Sequence, residues 1–436
     1  EVNAFPKKKG LESSDYEAFE SNLFNPQLMD DKTQSEAVLE ALHQKPVYLI
    51  QGPPGTGKTT VIVELLQQIL RREKGAKILV TSQSNLAVDN VLERLQKVNE
   101  TTQNSLPFMR LASQYTLDKG GVLEAIVPHV FDNKLQEWLQ ATEAKSMEYL
   151  NNLPVEKQAN LKTIQQDWEA FLGGVQVELE DGSKQSMLRN GHQEVDFLRA
   201  MLQDVSIIGA TCMHIASGQY NTMNFEFDYV IMDESSKASP PETLVPINMG
   251  KNIVLIGDHK QLPPVITKDK NLKDKLDEAL ADNGLGANKD FGKSLFETLI
   301  EAFEKDPVQQ KYIKMLDIQY RMPAQIGSLI SKYFYNNQLK NAPTALLKDK
   351  THGLSLKKET SILFVNTSKR PNPSDNGNKT DRNNPCNVNA VAELLAQLNA
   401  LYPDNLEQEK PLTIAVIAGY RGQVKLLRKE IDRSQY

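Results

Sequence analysis

An α/β fold built on a parallel β-sheet is the fold class this sequence predicts, and three observations carry the prediction. Short apolar runs recur between helical stretches at 47–50, 77–81, 108–111, 205–211, 227–232 and 253–257. That alternation gives a parallel sheet with helices on both faces. A glycine-rich turn, Gly52-Pro53-Pro54-Gly55-Thr56-Gly57-Lys58-Thr59-Thr60, lies between the first of these strands and an amphipathic helix. The run at 227–232 leads straight into the acidic pair Asp233-Glu234.

Bulk properties bound the rest. At 436 residues the chain has the length for two or three domains, each with its own core. It is 40% hydrophobic and 24% charged, with no low-complexity tract and no apolar run near bilayer-spanning length. A soluble globular protein with no membrane partner is expected. The 2 cysteines, Cys212 and Cys386, cannot build a disulfide framework or a four-cysteine zinc site. A reducing compartment follows as the expectation: the cytoplasm, or the nucleus in a eukaryote. The net charge of −6 argues against a wholly basic nucleic-acid binder but leaves room for a positive groove. Lys7-Lys8-Lys9 reads either as a solvated patch or as a localisation signal.

Along the chain, residues 1–27 are a lead-in and 28–300 the first domain. Its opening strand is Val47-Tyr48-Leu49-Ile50, and the helix after the glycine turn sets Val61, Leu65, Leu66, Ile69 and Leu70 on one face. Residues 112–204 interrupt this domain as a helical insertion. Leu161, Ile164, Trp168, Phe171 and Leu172 fall at helical spacing there, and Leu135, Trp138 and Leu139 suggest a partner helix. Val175, Val177 and Leu179 then alternate ahead of the hairpin turn Asp181-Gly182. The tryptophans are core residues or, on the functional reading, part of a surface that grips a strand or a partner. A second domain is expected over 301–436, its strand set beginning near Leu316 and continuing in Ile362-Leu363-Phe364-Val365 and Ile414-Ala415-Val416-Ile417. Pro371 to Pro385, rich in Asn, Asp, Gly and Pro, reads as a surface loop between them.

The chemistry starts at the glycine turn. Gly52, Gly55 and Gly57 let successive backbone N–H groups face phosphate oxygens, and the helix N-terminus adds partial positive charge. Lys58 can reach the β- and γ-phosphates, and the Thr59 hydroxyl can ligate Mg²⁺. The plain alternative is a glycine turn with no ligand. Asp233, at the carboxyl end of its strand, can hold the Mg²⁺ shell, and Glu234 can orient or activate the attacking water. Read otherwise, the acidic pair only caps the following helix. Gln261, in Gly257-Asp258-His259-Lys260-Gln261-Leu262-Pro263-Pro264, offers a donor and an acceptor to the γ-phosphate. Arg321, in Gln319-Tyr320-Arg321-Met322, is a candidate arginine finger; alone, it would be an ordinary surface cation.

Taken in chain order, Gln34, 52–60, Ile78-Leu79-Val80-Thr81-Ser82-Gln83-Ser84-Asn85-Leu86-Ala87-Val88-Asp89, Asp233-Glu234, 257–264 and 319–322 resemble the motifs of a superfamily 1 helicase. The nearest branch is the one typified by senataxin and the nonsense-decay helicase, and the resemblance covers about 26–112 and 205–436. It implies a P-loop NTPase of the AAA type with two RecA-like domains, the second incomplete. It also implies ATP hydrolysis coupled to movement on single-stranded RNA or DNA, commonly 5′ to 3′. By the same resemblance, Gly52, Pro53, Pro54, Gly55, Thr56, Gly57, Lys58, Thr59 and Thr60 hold the ATP phosphates. Gln34 would contact the adenine edge, and Tyr320 would stack on or flank the base. Ser84, Asn85 and Thr211 would lie along the nucleic-acid path, as would Tyr420 in Gly419-Tyr420-Arg421-Gly422-Gln423.

The sequence departs from the family pattern in three ways. Lys237 stands where the family has Gln at the fifth position from Asp233, and Pro323 where a His usually follows the Arg-Met pair. The later motifs, among them a second arginine aimed at the γ-phosphate, do not follow Gln423. The expectation is a piece of a longer helicase, or a fold completed by another subunit, with an attached nuclease or partner domain a further expectation. A nucleotide-gated scaffold that clamps nucleic acid or a partner without processive unwinding is the alternative function.

Overall fold

A strand buried on both faces needs an unbroken apolar run, and the runs in this chain assemble into one seven-stranded parallel sheet. The computed structural model describes residues 11–101, 106–135, scattered positions between 137 and 148, the backbone of 175–178 and 184–187, then 205–217, 226–265, 292–346, 354, 360–378, 381–403 and 413–434. The strands are β1 (Val47–Gln51), β2 (Ile78–Ser82), β3 (Phe108–Leu111), the pair β4 (Val175–Glu178) and β5 (Lys184–Met187), then β6 (Ile207–Thr211), β7 (Phe227–Met232), β8 (Gly250–Gly257) and β9 (Ile313–Met315). Across the large sheet the order is β3-β6-β2-β7-β8-β1-β9. Strands β4 and β5 form a separate antiparallel hairpin with Val175 opposite Met187, the hairpin expected in the insertion. The insertion's expected helix through Leu161 to Leu172 lies outside the described residues. Leu135, at the start of the insertion, is buried against the main core, and Trp138 is 42% exposed.

The chain divides into two compact units, Glu1–Gln319 and Tyr320–Tyr436. In the first, β1 carries Tyr48, Leu49 and Ile50 with no exposed surface, and β8 beside it and β7 one strand further on are nearly as buried. Helix α1 (Ser13–Glu20) lies in the lead-in and α2 (Lys32–His43) runs into β1, while α3 (Lys58–Arg72) and α4 (Asn85–Thr101) cross from β1 to β2 and from β2 to β3. The middle of α3 is buried on nearly every side, from Val61 to Ile69, because α2 packs against it on one side and α4 on the other. Each fully buried Leu or Ile there stabilises by about 2 kcal/mol. Glu64, on the same helix, is also fully buried; it accepts from the backbone N–H of Phe24 and Asn25 and from Gln68. The lead-in is thereby fastened to the sheet domain by a carboxylate whose partners are nearly all N–H donors.

Two expectations change. Residues 301–319 were expected to open the second domain, yet they fall in the first unit. Helix Leu295–Lys305 buries Phe296, Ile300 and Phe303, and β9 pairs in parallel with β1, Leu49 opposite Ile313. The free edge of β1 takes up the next extended segment. The second correction concerns 362–365 and 414–417, read as strands from their apolar runs. Neither forms a ladder, and Phe364 is 88% and Ile417 90% exposed. A strand exists only through hydrogen-bonded neighbours, and no described residue supplies them here. The second unit is instead carried by helices Ala324–Phe334, Pro385–Leu401 and Arg421–Ser434; of the loop expected from Pro371 to Pro385, the described residues 371–378 and 381–384 precede the second helix and Pro385 opens it. Among the described residues no helix is long and apolar enough to cross a membrane.

Candidate functional site

All seven strands run the same way, so their carboxyl ends share one edge, and the loops leaving that edge carry nearly every candidate residue of the first unit. The glycine turn follows β1. Gly57 has φ +78°, a left-handed conformation that a side chain would strain, and a Cβ there would meet the Gln34 amide nitrogen at 2.8 Å. A Cβ on Gly52 would meet the Lys58 side chain at 2.4 Å. Both glycines are therefore required by close approach. Gly52 donates to the Gly257 carbonyl at 2.8 Å, tying the turn to the end of β8. The Thr56 hydroxyl closes the loop on Pro53 O at 2.8 Å. Gln34 is 5% exposed and donates from its amide to Thr56 O at 3.0 Å, which sets it against the glycine loop. No side chain caps α3, and Thr59 and Thr60 lie in its first turn, leaving backbone donors there for an anion. Lys58 folds back to Gly52 O at 3.0 Å.

Two strands along, β7 delivers the carboxylates. Asp233 is buried, and desolvation pushes its carboxyl up to about 6, with Lys58 opposing the shift. Its Oδ1 accepts from Glu234 N at 2.8 Å. Glu234 has φ +51°, an uncommon conformation for a residue other than glycine, which turns its side chain toward the glycine loop. One carboxylate oxygen lies 3.9 Å from Lys58 Nζ and the other 3.1 Å from Lys237 Nζ. Lys58, Asp233 and Glu234, expected from separate motifs, thus meet. The residue after them is also committed: Ser235 donates from both N and Oγ to Ile256 O at 2.9 Å. Beyond β8, Gln261 donates to Asp258 Oδ2 at 2.9 Å, and Asp258 accepts from Lys260 N as well. Sequence reasoning passed over Asp258, a buried carboxylate that holds Gln261 in one orientation.

A hydroxyl from Thr59 and a carboxylate from Asp233 are hard oxygen donors that suit Mg²⁺ and leave positions for phosphate oxygens and water. Among the described residues no cluster of three or more His, Cys, Asp or Glu could hold a metal alone. A magnesium nucleotide fits this donor set better than a protein-only metal cage.

The other half of the same edge is neutral. Ser84 and Asn85 follow β2, and Thr211 ends β6 opposite Ser82. Ser84 is exposed, Asn85 half-buried, and Leu86 and Met213 show 57% and 63% of their surface. Thr211 caps the short helix Cys212–Ile215 by accepting from His214 N. Burial and the Arg110 charge push His214 down to about 4, so its ring is neutral at ordinary pH. Behind Asn85 stands a group that sequence reasoning missed. Arg110 has no exposed surface; it donates from Nε to Asp89 Oδ1 at 2.7 Å and from Nη2 to Asn85 Oδ1 at 2.7 Å. Its signal was an arginine inside the apolar run Phe108–Leu111.

In the second unit, Tyr320 is half-buried and Arg321 exposed. Tyr420 is 42% exposed with the Arg382 guanidinium 5.3 Å above its ring, and Gln423 accepts from Asn384 N at 2.6 Å.

With this geometry in view, comparison with known proteins is specific. A family model described as an AAA domain matches residues 30–269, and a second model of the same description matches 291–436. DNA-binding protein SMUBP-2 of Rattus norvegicus is 30% identical over 422 residues, covering 92% of this chain and 36% of that protein. An uncharacterized ATP-dependent helicase of Methanocaldococcus jannaschii is 28% identical over 356 residues, covering 77% of this chain and 48% of that protein. The Regulator of nonsense transcripts 1 homolog of Arabidopsis thaliana is 29% identical over 320 residues, 73% of this chain and 21% of that one. The chain thus spans half or less of the length of these relatives.

Proposed function

The chain belongs to the AAA-domain P-loop family, in the superfamily 1 branch of the nonsense-decay helicases, and from that premise we propose a nucleic-acid-dependent ATPase and helicase motor. Its substrates are ATP with Mg²⁺ and single-stranded RNA or DNA, with 5′ to 3′ movement the expected direction. The observation that carries the reading is the meeting of Lys58 and Glu234 at 3.9 Å beside the buried Asp233, all at the carboxyl edge of the sheet.

Each candidate residue has a task in this reading. The 52–60 backbone and Lys58 bind the phosphates, with Gln34 against the loop for the adenine. Thr59 and Asp233 would hold the magnesium ion, which neutralises charge on the phosphates when bound. Glu234, held in its left-handed conformation, takes the proton of the attacking water. Gln261, oriented by Asp258, senses the γ-phosphate, Arg321 is assigned to transition-state charge, and Tyr320 flanks the base. Ser84, Asn85, Thr211 and Tyr420 grip the strand through its backbone and by stacking, which lets a motor step without reading sequence. A reducing compartment and a further subunit or nuclease domain belong to the same reading.

One contact favours a second reading, the nucleotide-gated scaffold: Lys237 pairs with Glu234 at 3.1 Å and draws on the same carboxylate that hydrolysis needs. The two separate on Glu234→Gln. The motor reading expects ATP affinity within about twofold of the parent and phosphate release down by about a hundredfold or more, the scale of losing a general base. Parent-like phosphate release from Glu234→Gln would falsify the role given to this carboxylate.

A further inference from the structure

Arg110 has no task in the proposed ATP chemistry, yet among the described residues it is the largest fully buried side chain. A buried guanidinium is costly unless every N–H finds an acceptor. Here Nε meets Asp89 Oδ1 at 2.7 Å, Nη1 meets the Leu111 carbonyl, and Nη2 meets Asn85 Oδ1 at 2.7 Å. Asp89 spends its second oxygen on Leu123 N at 3.0 Å, so charge is balanced inside the fold. Asn85, in contrast, is half-buried, in the first turn of α4 at the carboxyl edge of the sheet.

Guanidinium has donors only, so the Asn85 atom facing it must be the carbonyl oxygen, whichever way an amide might otherwise be turned. That fixes the other end. The Asn85 Nδ2 hydrogens are what the side chain can offer to a ligand, and a charged donor on the oxygen polarises the amide and makes those hydrogens better donors.

We infer that Arg110 is a positioning residue whose hydrogen bond to Asn85 Oδ1 locks that amide with its NH₂ presented to a phosphodiester oxygen of a single strand. The inference rests on the motor reading for the identity of the strand and adds the device that sets its contact. A donor-only group facing the strand matches phosphodiester oxygens, which only accept and are common to RNA and DNA, and at the phosphate it has no means of telling one base from another. The same contact therefore serves RNA and DNA.

Asn85→Asp separates grip from structure. The aspartate still accepts from Arg110 and lies in the first turn of a helix, where negative charge is favourable, so the melting temperature should hold or rise. Facing the strand, it replaces a donor with a repelling acceptor. Binding of oligo-uridine and of oligo-thymidine should each weaken by about tenfold or more, the scale of losing a hydrogen bond to a charged group. Arg110→Lys keeps a cation for Asp89 but loses the fork that reaches Asn85. It should raise the strand concentration for half-maximal stimulation of turnover several-fold while the KM for ATP moves less than about twofold. Asn85→Asp binding both polymers within twofold of the parent would overturn the inference even if Arg110→Lys fails to fold. Loss of binding to only one polymer would also overturn it, because the contact would then be reading more than phosphate. A parent chain that binds neither polymer overturns the motor reading and this inference together.

Discussion

The two halves of one sheet edge are built from opposite chemistry. At the ends of β1, β7 and β8 the loops concentrate charge: Lys58, Asp233, Glu234, Lys237 and Asp258 lie there, several of them buried or paired. At the ends of β2 and β6 the loops show neutral groups, Ser84, Asn85 and Thr211, with exposed Leu86 and Met213, while the ion pair Arg110–Asp89 is kept entirely beneath the surface. On the proposed function, the difference separates two tasks. Cleaving a phosphoanhydride needs fixed charges aimed at one place, and those charges are expensive to hold dry. Holding a strand that must slide needs donors and apolar faces that release it again. On the proposed function, the half assigned to the strand keeps its buried ion pair out of reach of solvent and, among the described residues, offers the neutral Ser84, Asn85 and Thr211 outward.

If this division is right, damage to one half should spare the other. Lys58→Ala should have the largest effect, lowering ATP turnover by about a hundred- to a thousandfold, the cost of removing one preorganised donor from a reacting anion. Strand binding measured by fluorescence anisotropy without nucleotide should stay within about twofold. A parallel loss of strand affinity would break the comparison. Next comes Asp233. Its folded carboxyl titrates near about 6 against an ordinary 3.8, so the folded chain holds this proton more tightly than the unfolded chain does. This group therefore stabilises the fold at and below about pH 4, and its contribution is lost as pH rises through about 6. Ionised at pH 8, the buried carboxylate costs roughly 2–3 kcal/mol. Asp233→Asn should unfold at a higher temperature than the parent at pH 8, the gap closing toward pH 4, as followed by calorimetry. An equal gap at both pH values would remove the burial argument, and with it the picture of charge held at a cost. Lys237→Gln should have the smallest effect. A half-exposed ion pair is worth under about 1 kcal/mol, so freeing Glu234 should raise strand-independent turnover by about two- to threefold. Unchanged or lower turnover would mean that Lys237 does not restrain this carboxylate.

Local patterns made the charged half legible. The glycine turn, the strand before it and the acidic pair after β7 each show within a window of about ten residues. Spacing alone brought Lys58, Asp233 and Glu234 to one edge once the sheet was parallel. The neutral half was legible only in part. Ser84, Asn85 and Thr211 came from resemblance, but the guanidinium behind Asn85 was not visible, because its partners Asp89 and Asn85 lie 21 and 25 residues away in sequence. Strand β9 was misassigned for a related reason: three residues with Lys314 in the middle have no alternation to read. The lysine is explained only by Glu36 and Glu40 of α2, at 2.5 and 3.2 Å. The runs 362–365 and 414–417 erred the other way. Apolar residues make a strand possible, and pairing makes it real.

The most direct test joins the two halves: the rate of phosphate release at saturating magnesium-ATP, with and without saturating single-stranded oligo-uridine or oligo-thymidine. A rise of about tenfold or more with at least one of them, with a stimulating affinity that weakens as salt increases, is the predicted result. A rate that stays flat with both would contradict the coupling of strand grip to hydrolysis, leaving an ATP site and a strand surface on the same sheet with nothing passing between them.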